Sequence, residues 1–356
     1  MKITAVRTRT EAFALTRPYT IAFRTVSDVE MGLVEIETDS GHVGFGCASP
    51  EPFVTGESRE ACAAALEASN VGWLEGKDVR SLPKLCRLLA THMAGTPAAR
   101  AALDMALHDL LAQYLDLPLV DMLGRAHHSL PTSITIGIKP VAETLEEADE
   151  YLSRGFRVLK IKLGHSLEED LERLGKLREK IGDDIAVRVD PNQGYSAEDV
   201  SRFVTDTGHL GIEFLEQPMP ADQVAPLRAL PDSVRRRIAA DETLLNENSA
   251  LALVAPPAAC GIFNIKLMKC GGVYAARRIA DIAETAGIEL MWGCMDESII
   301  SISAALHAAL ASPATRYLDL DGSLDLARDV VSGGFILKDG YLRTTGAPGL
   351  GVVRAG

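Results

Sequence analysis

From Pro131 onward the sequence alternates short apolar runs with longer amphipathic segments, and this beat constrains the fold more than any other feature. Eight runs recur: Ser133 to Ile138, Val158 to Leu163, Ala186 to Asp190, Ile212 to Glu216, Ile238 to Asp241, Ile262 to Leu267, Leu290 to Gly293 and Tyr317 to Asp321. Each suits a strand buried on both faces, and stretches such as Leu167 to Ile181 and Gly272 to Ala286 have the length and period of covering helices. Eight such repeats over roughly 190 residues predict an α/β fold, a (β/α)8 barrel of modified TIM type. The rival, an open doubly wound sheet, more often carries a glycine-rich nucleotide loop after its first strand, and none is present here.

Before Pro131 the pattern differs. Strand-like runs come first, Ile3 to Arg9, Leu33 to Thr38 and Val43 to Gly46, the last two joined by the turn residues Asp39-Ser40-Gly41-His42. A helical segment, Ala98 to Tyr114, follows, with Ala102, Met105, Ala106, Asp109 and Ala112 sharing one face. Strands followed by helices predict a small α+β unit. Beyond the barrel, Gly334 to Leu337 and Tyr341 to Thr344 are strand-like around the turn Lys338-Asp339-Gly340. The chain thus reads as an N-terminal α+β capping domain over 1–124, a catalytic barrel over 125–331, and a C-terminal segment, 332–356, packing back on the capping domain.

The 36 basic and 49 acidic residues give a formal charge of −13, which argues against nucleic acid as a partner and mildly favours cationic ligands. No apolar stretch reaches the roughly 18 residues of a membrane span. Met1-Lys2-Ile3-Thr4 opens on strand-like alternation instead of a signal peptide's regions. Cys47, Cys62, Cys86, Cys260, Cys270 and Cys294 show no Cys-x-x-Cys spacing, so neither a zinc site nor a disulfide framework is indicated. A cytoplasmic location is expected.

In a barrel of this kind the site lies at the C-terminal ends of the strands, so a charged residue closing an apolar run is a candidate. Asp190 closes Ala-Val-Arg-Val-Asp, Glu216 closes Ile-Glu-Phe-Leu-Glu, and Asp241 closes Ile-Ala-Ala-Asp. One such carboxylate is more often a cap, but three on consecutive strands suit an oxygen-seeking cation such as Mg2+. Lys160 and Lys162 share a face of their strand, and each is expected to depress the other's pKa towards the range of a general base. Lys266 lies four strands further on within Asn264-Ile265-Lys266-Leu267-Met268, too embedded for a snorkelling surface lysine. Amines facing each other across a barrel can take a proton from one face of a substrate and return one to the other. Asp319-Leu320-Asp321 ends the last run with two carboxylates on one side, an anionic pocket suited to an ammonium group. His108, His307 and the pair His127-His128 read as packed or surface groups.

The set Lys160-Ile161-Lys162, Asp190-Pro191-Asn192-Gln193, Glu216-Gln217-Pro218, Asp241-Glu242 and Asn264-Ile265-Lys266-Leu267-Met268-Lys269-Cys270-Gly271-Gly272 resembles the muconate-lactonizing subgroup of the enolase superfamily, over essentially the whole chain. The resemblance implies that a substrate carboxylate chelates Mg2+ held by Asp190, Glu216 and Asp241. It also implies that Lys162 and Lys266 are opposed bases in a 1,1-proton transfer through an enediolate, with Lys160 as electrostatic support. A Lys or His base acting with Mg2+ is the superfamily's established pattern.

Asp319 and Asp321 are similar to the pair with which dipeptide epimerases hold the free α-amino group of the substrate, and Arg24 and Thr135 stand where that family places substrate contacts. The expected activity is therefore that of an isomerase, inverting the α-carbon of the C-terminal residue of an L,L-dipeptide. Specificity is expected from the loop Ala48-Ser49-Pro50-Glu51-Pro52 and the segment Cys294-Met295-Asp296-Glu297-Ser298, whose acids Glu51 and Asp296 favour Lys or Arg side chains. Arg24 cuts the other way, towards an L-Ala-D/L-Glu type substrate. A muconate cycloisomerase, an o-succinylbenzoate synthase or an N-acylamino acid racemase would share the metal and lysines but offer no ammonium to Asp319 and Asp321. A barrel kept only for binding would have lost a ligand or a base, and none is missing. The N-terminal unit is expected to close over the substrate as a lid, and the resemblance implies a homo-oligomer.

Overall fold

The computed structural model describes residues 1–21 and 24–355, with side chains described for 1–17 and 26–355. Eight parallel strands follow one another in a single sheet: β5 (Ile134–Ile136), β6 (Val158–Lys162), β7 (Ala186–Asp190), β8 (Ile212–Glu216), β9 (Ile238–Ala240), β10 (Ile262–Ile265), β11 (Glu289–Gly293) and β12 (Thr315–Asp319). The circle is drawn together where Ser133 N–H donates to Leu318 O at 3.0 Å, beside a bridge between Thr132 and Leu318. Helices separate most of the strands, Leu167–Ile181 and Val273–Ala286 among them, and their apolar faces cover the outside of the sheet. That cover explains why the strands read as continuous apolar runs and not as alternation.

Two runs end earlier than their apolar content suggests. β9 stops at Ala240 and β10 at Ile265, so Asp241 and Lys266 stand just beyond the ladder, and Leu267–Cys270 turns into one turn of helix. The last strand begins at Thr315 and ends at Asp319, which leaves Asp321 in the loop above. A charged group at a barrel rim needs partners the ladder cannot supply, so the backbone departs there. The barrel interior is plugged below by Phe214, Ala239, Ile262 and Met291, with Tyr317 against them. Arg188 is buried at this level, its guanidinium 5.5 Å from the Phe214 ring centre and 5.0 Å from that of Tyr317, donating to Glu213 Oε2 at 2.8 Å and Leu318 O at 2.7 Å. The buried cation is balanced by those partners and by the ring faces.

Ahead of the barrel, β1 (Ile3–Ile21), β2 (Arg24–Thr38) and β3 (Val43–Ala48) form an antiparallel sheet, in which the short runs read from sequence are parts of longer strands. The helix Pro97–Tyr114 packs on this sheet. Its buried Asp109 accepts from Phe45 N at 3.0 Å and Leu350 N at 2.8 Å, joining sheet, helix and tail, and burial pushes its carboxyl up to about 6. β4 (Leu130–Pro131) precedes the barrel; after it come β13 (Val331–Gly333), β14 (Phe335–Lys338), β15 (Tyr341–Thr344) and β16 (Val352–Arg354). β14 and β15 pair with each other and β15 with β4, while β13 pairs with β16. The tail also reaches back to the first unit through Leu119 N to Gly349 O at 2.8 Å and an ion pair between Arg354 and Glu35. Among the described residues no helix is long and apolar enough to cross a membrane.

Candidate active site

The strand ends bring the predicted lysines and carboxylates into one buried network. Lys162 lies beside Asp190 in the β6–β7 register, and its Nζ is 2.7 Å from Asp190 Oδ2 and 2.8 Å from Asn192 Oδ1. Lys160, one pleat deeper, reaches Asp319 Oδ2 at 2.8 Å, Glu216 Oε2 at 2.7 Å and Asp190 Oδ2 at 3.2 Å. On the other side, Lys266 Nζ meets Asp241 Oδ2 at 2.7 Å. The sheet order β6-β7-β8-β9-β10 places Lys162 and Lys266 on opposite sides of the mouth.

At Lys160 electrostatics departs from the expected depression. Burial does push the Lys160 ammonium down, but Asp319, Glu216 and Asp190 outweigh it and hold its pKa well above the ordinary value. Lys266 is likewise raised, because Asp241 and Glu216 together overcome its burial. What the sequence pattern could not show is how many carboxylates converge on each amine. Lys269 goes the other way: burial dominates and lowers it, although its Nζ donates to Asp241 O at 2.6 Å and Asn264 O at 3.1 Å and pairs with Asp241 Oδ1.

Whether a divalent cation suits this place can be judged from the donors. Asp190, Glu216 and Asp241 are buried and offer only carboxylate oxygens, the set a hard cation selects. Glu216 Oε2 has no well-aligned hydrogen bond despite its nearness to Lys160, and burial together with Asp190 raises Glu216 to about 8. Such crowded, under-compensated negative charge is what a dication relieves, so the residues fit Mg2+. The three carboxylates do not close to within 4.8 Å of one another, because Lys160 holds Asp190 and Glu216 while Lys266 and Lys269 hold Asp241. Cys86, Asp104 and His108 do reach that spacing, but Asp104 Oδ1 there accepts from Val273 N at 2.6 Å and lies 3.1 Å from His108 Nδ1, so the cluster reads as a helix cap.

The predicted substrate contacts separate into groups. Asp319 is tied to Lys160 and accepts from Ser133 Oγ at 2.6 Å, whereas Asp321 accepts from Thr135 N at 2.8 Å. Burial and the neighbouring Asp319 push Asp321 up to about 7. The two acids expected to act alike thus stand in different surroundings, with Thr135 beside the second. The loop with Glu51 and the segment with Asp296 meet, because Ser49 Oγ donates to Asp296 O at 2.8 Å. The side chain of Arg24 lies outside the described residues.

Several participants carry no signal of their own in the sequence. Asn192 steadies Lys162, Asn264 Nδ2 donates to Glu216 Oε1 at 2.8 Å, and Gln217 Oε1 accepts from Asp241 N at 3.0 Å. Each adjoins or lies close to a charged strand-end residue in sequence, and that proximity is its one sequence signal.

The chain matches two family models, the N-terminal domain of mandelate racemase/muconate lactonizing enzyme over residues 3–124 and the enolase C-terminal domain-like model over residues 143–354. It is 65% identical to the L-Lys-D/L-Arg epimerase of Methylococcus capsulatus over 353 residues, covering 99% of both chains. It is 35% identical to the L-Ala-D/L-Glu epimerase of Bacillus subtilis, covering 100% of this chain and 98% of that one. A crystal structure of the dipeptide epimerase from Methylococcus capsulatus, complexed with Mg and the dipeptide L-Arg-D-Lys, superposes with a TM-score of 0.98 at 65% identity, covering 99% of this chain and 100% of that one.

Proposed function

The chain belongs to the mandelate racemase/muconate lactonizing enzyme family of the enolase superfamily, and from that premise we propose that it is a Mg2+-dependent dipeptide epimerase preferring Lys- and Arg-containing dipeptides. The observation that carries this reading is the placement of Lys162 and Lys266 on opposite sides of a mouth that also holds three buried carboxylates and the separate pair Asp319 and Asp321. The 65% identical relative named as an L-Lys-D/L-Arg epimerase supports the substrate class.

In this reading the α-carbon of the C-terminal residue lies between the two amines. One lysine removes its proton and the other returns one to the opposite face, which inverts the centre. Asp190, Glu216 and Asp241 would hold Mg2+, which when bound disperses the negative charge left as the proton departs. Lys160 keeps its positive charge among Asp190, Glu216 and Asp319 and so acts as electrostatic support, not as a third base. Asp321, with Asp319 behind it, takes the substrate's free ammonium, and Thr135 orients Asp321 through its N–H. Glu51 and Asp296 supply the anionic surroundings for cationic side chains, and Arg24 is assigned a substrate contact from the resemblance alone. The unit 1–124 caps the mouth through the 48–52 loop, the barrel spans 125–331, and 332–356 fastens the two. A cytoplasmic location and the absence of nucleic-acid or membrane partners complete the proposal, supported by six free cysteines and the charge of −13, and a homo-oligomeric state is added from the family resemblance alone.

Incubation with a dipeptide library in D2O and Mg2+ tests this directly. Deuterium is expected at the α-position of the C-terminal residue, dependent on the metal and fastest for dipeptides of Lys and Arg. Absence of exchange in every dipeptide refutes the epimerase; exchange confined to Ala-Glu peptides refutes only the cationic preference.

A further inference from the structure

The lysine on the β10 side sits at the start of a helix only four residues long, Leu267–Cys270. A single turn has too few hydrogen bonds to hold its own shape in water, so something else must fix where Lys266 points. On the barrel side Asp241 holds Lys266 Nζ, and Asp241 and Asn264 hold Lys269, while the far end of the turn is anchored by the first unit. Helix Pro97–Tyr114 turns Arg100 and Asp104, four residues apart and therefore on one face, against the end of this turn. Arg100 Nη2 donates to Cys270 O at 2.6 Å, and Asp104 Oδ1 accepts from Val273 N at 2.6 Å and Tyr274 N at 3.3 Å. Asp104 is itself steadied by His108 Nδ1, 3.1 Å away and one helical turn on.

Between those anchors lie Gly271 and Gly272, with φ of +84° and +108°. The left-handed backbone is one reason for glycine, and the close approach is another. A Cβ at Gly271 would overlap the Arg100 guanidinium, and a Cβ at Gly272 would overlap the Asp104 carboxylate. The two glycines are sockets for two side chains of the other unit. A third contact from the same unit, Ser49 N–H to Met268 Sδ at 3.3 Å, presses on the turn from the 48–52 loop.

We propose that Arg100 and Asp104 are positioning residues for Lys266, locking the Leu267–Gly272 turn so that this amine, and not Lys162, depends on the docking of the N-terminal unit. This rests on the two-base reading above. The ammonium groups of both lysines are held by barrel residues, Lys162 by Asp190 and Asn192 and Lys266 by Asp241, but the hydrogen bonds of Arg100 and Asp104 fall on the backbone that follows Lys266, at Cys270 and Val273. Loss of the lock therefore injures one base and spares the other.

The two half-reactions separate these roles. In D2O the protein is given each epimer of one substrate in turn, and washout of the α-proton is followed by mass. Lys266→Ala and Lys162→Ala identify which epimer each amine serves. Arg100→Ala is expected to lower epimerisation about 10- to 100-fold, the cost of a displaced catalytic group. Proton exchange should be lost from the epimer that Lys266→Ala silences and retained from the other. Arg100→Lys, which keeps the charge and stem but not the fork, should recover part of the loss and remains available if the alanine variant does not fold. Equal losses from both epimers in Arg100→Lys, or full activity in Arg100→Ala, overturn the proposal. A wild-type protein that exchanges neither epimer of any dipeptide overturns the two-base reading itself, a separate outcome.

Discussion

Lys162 and Lys266 face each other across one mouth, each paired with a carboxylate from a neighbouring strand end, yet the backbone that carries them is held in different ways. Lys162 ends its strand with a side chain 24% exposed, and its partners Asp190 and Asn192 come from the neighbouring strand end and the loop that follows it. Asn192 adopts a φ of +44°, a conformation asparagine tolerates better than most residues, and its N–H donates to Asp190 Oδ1 at 2.9 Å. Lys266 is 8% exposed and stands on a turn whose anchors lie far away in sequence, Arg100, Asp104 and Ser49. Both amines have a local carboxylate partner, but only the turn behind Lys266 is also fixed by packing between units. A mouth that must close over a substrate gains from this, since the second base is assembled only when the cap is seated.

The sharpest way to break the comparison is to delete each amine. Lys162→Ala and Lys266→Ala are each expected to lower epimerisation about 10²- to 10⁴-fold, with α-proton exchange surviving from opposite epimers. If both variants leave exchange in the same epimer, the amines do not serve opposite faces.

A smaller effect is expected from the local device. Asn192→Ala removes one partner of Lys162 but leaves Asp190, so washout of the α-proton in D2O should fall about tenfold for the epimer served by Lys162 and little for the other. An equal fall for both epimers would show that Asn192 supports the whole mouth.

Specificity comes next in size. Glu51→Gln with Asp296→Asn should reduce kcat/KM for Lys- and Arg-containing dipeptides about tenfold relative to neutral ones, the worth of weakened charge complementarity. A ratio that stays constant in the double variant removes these acids from recognition.

The last prediction concerns a site remote from both amines and serves as a control. His307 is buried and its Nδ1 accepts from Val120 N at 2.8 Å; burial lowers its pKa from 6.5 to about 4. The unfolded chain therefore binds the proton first as pH falls, and the stability that neutral His307 contributes is present above pH 6.5 and lost towards about 4. The melting-temperature gap between wild type and His307→Gln should shrink across that window, while epimer-specific exchange at neutral pH is unchanged. A gap that does not vary with pH would mean that His307 is not neutral in the fold.

Much of this centre is legible in the sequence. Period and composition mark the eight strands, and the rule that charged residues close barrel strands singles out Lys162, Asp190 and Glu216, which do end β6, β7 and β8. Asp241 and Lys266 were found by the same rule although both lie one step past their strands. The rule fails for residues whose importance comes from a distant partner. Arg100 and Asp104 look like polar positions on an ordinary helix, and Ser133 looks like strand filling until its hydroxyl meets Asp319.

The sequence by itself determined the barrel, the carboxylates and lysines at its mouth, and the family, because local periodicity and strand-end position are properties of neighbours in the chain. Only the tertiary structure decided the charge state of Lys160, the different surroundings of Asp319 and Asp321, and the lock on Lys266. Those depend on how many charges and side chains from remote segments share a few ångströms of low-dielectric space, and no spacing along the chain encodes that number.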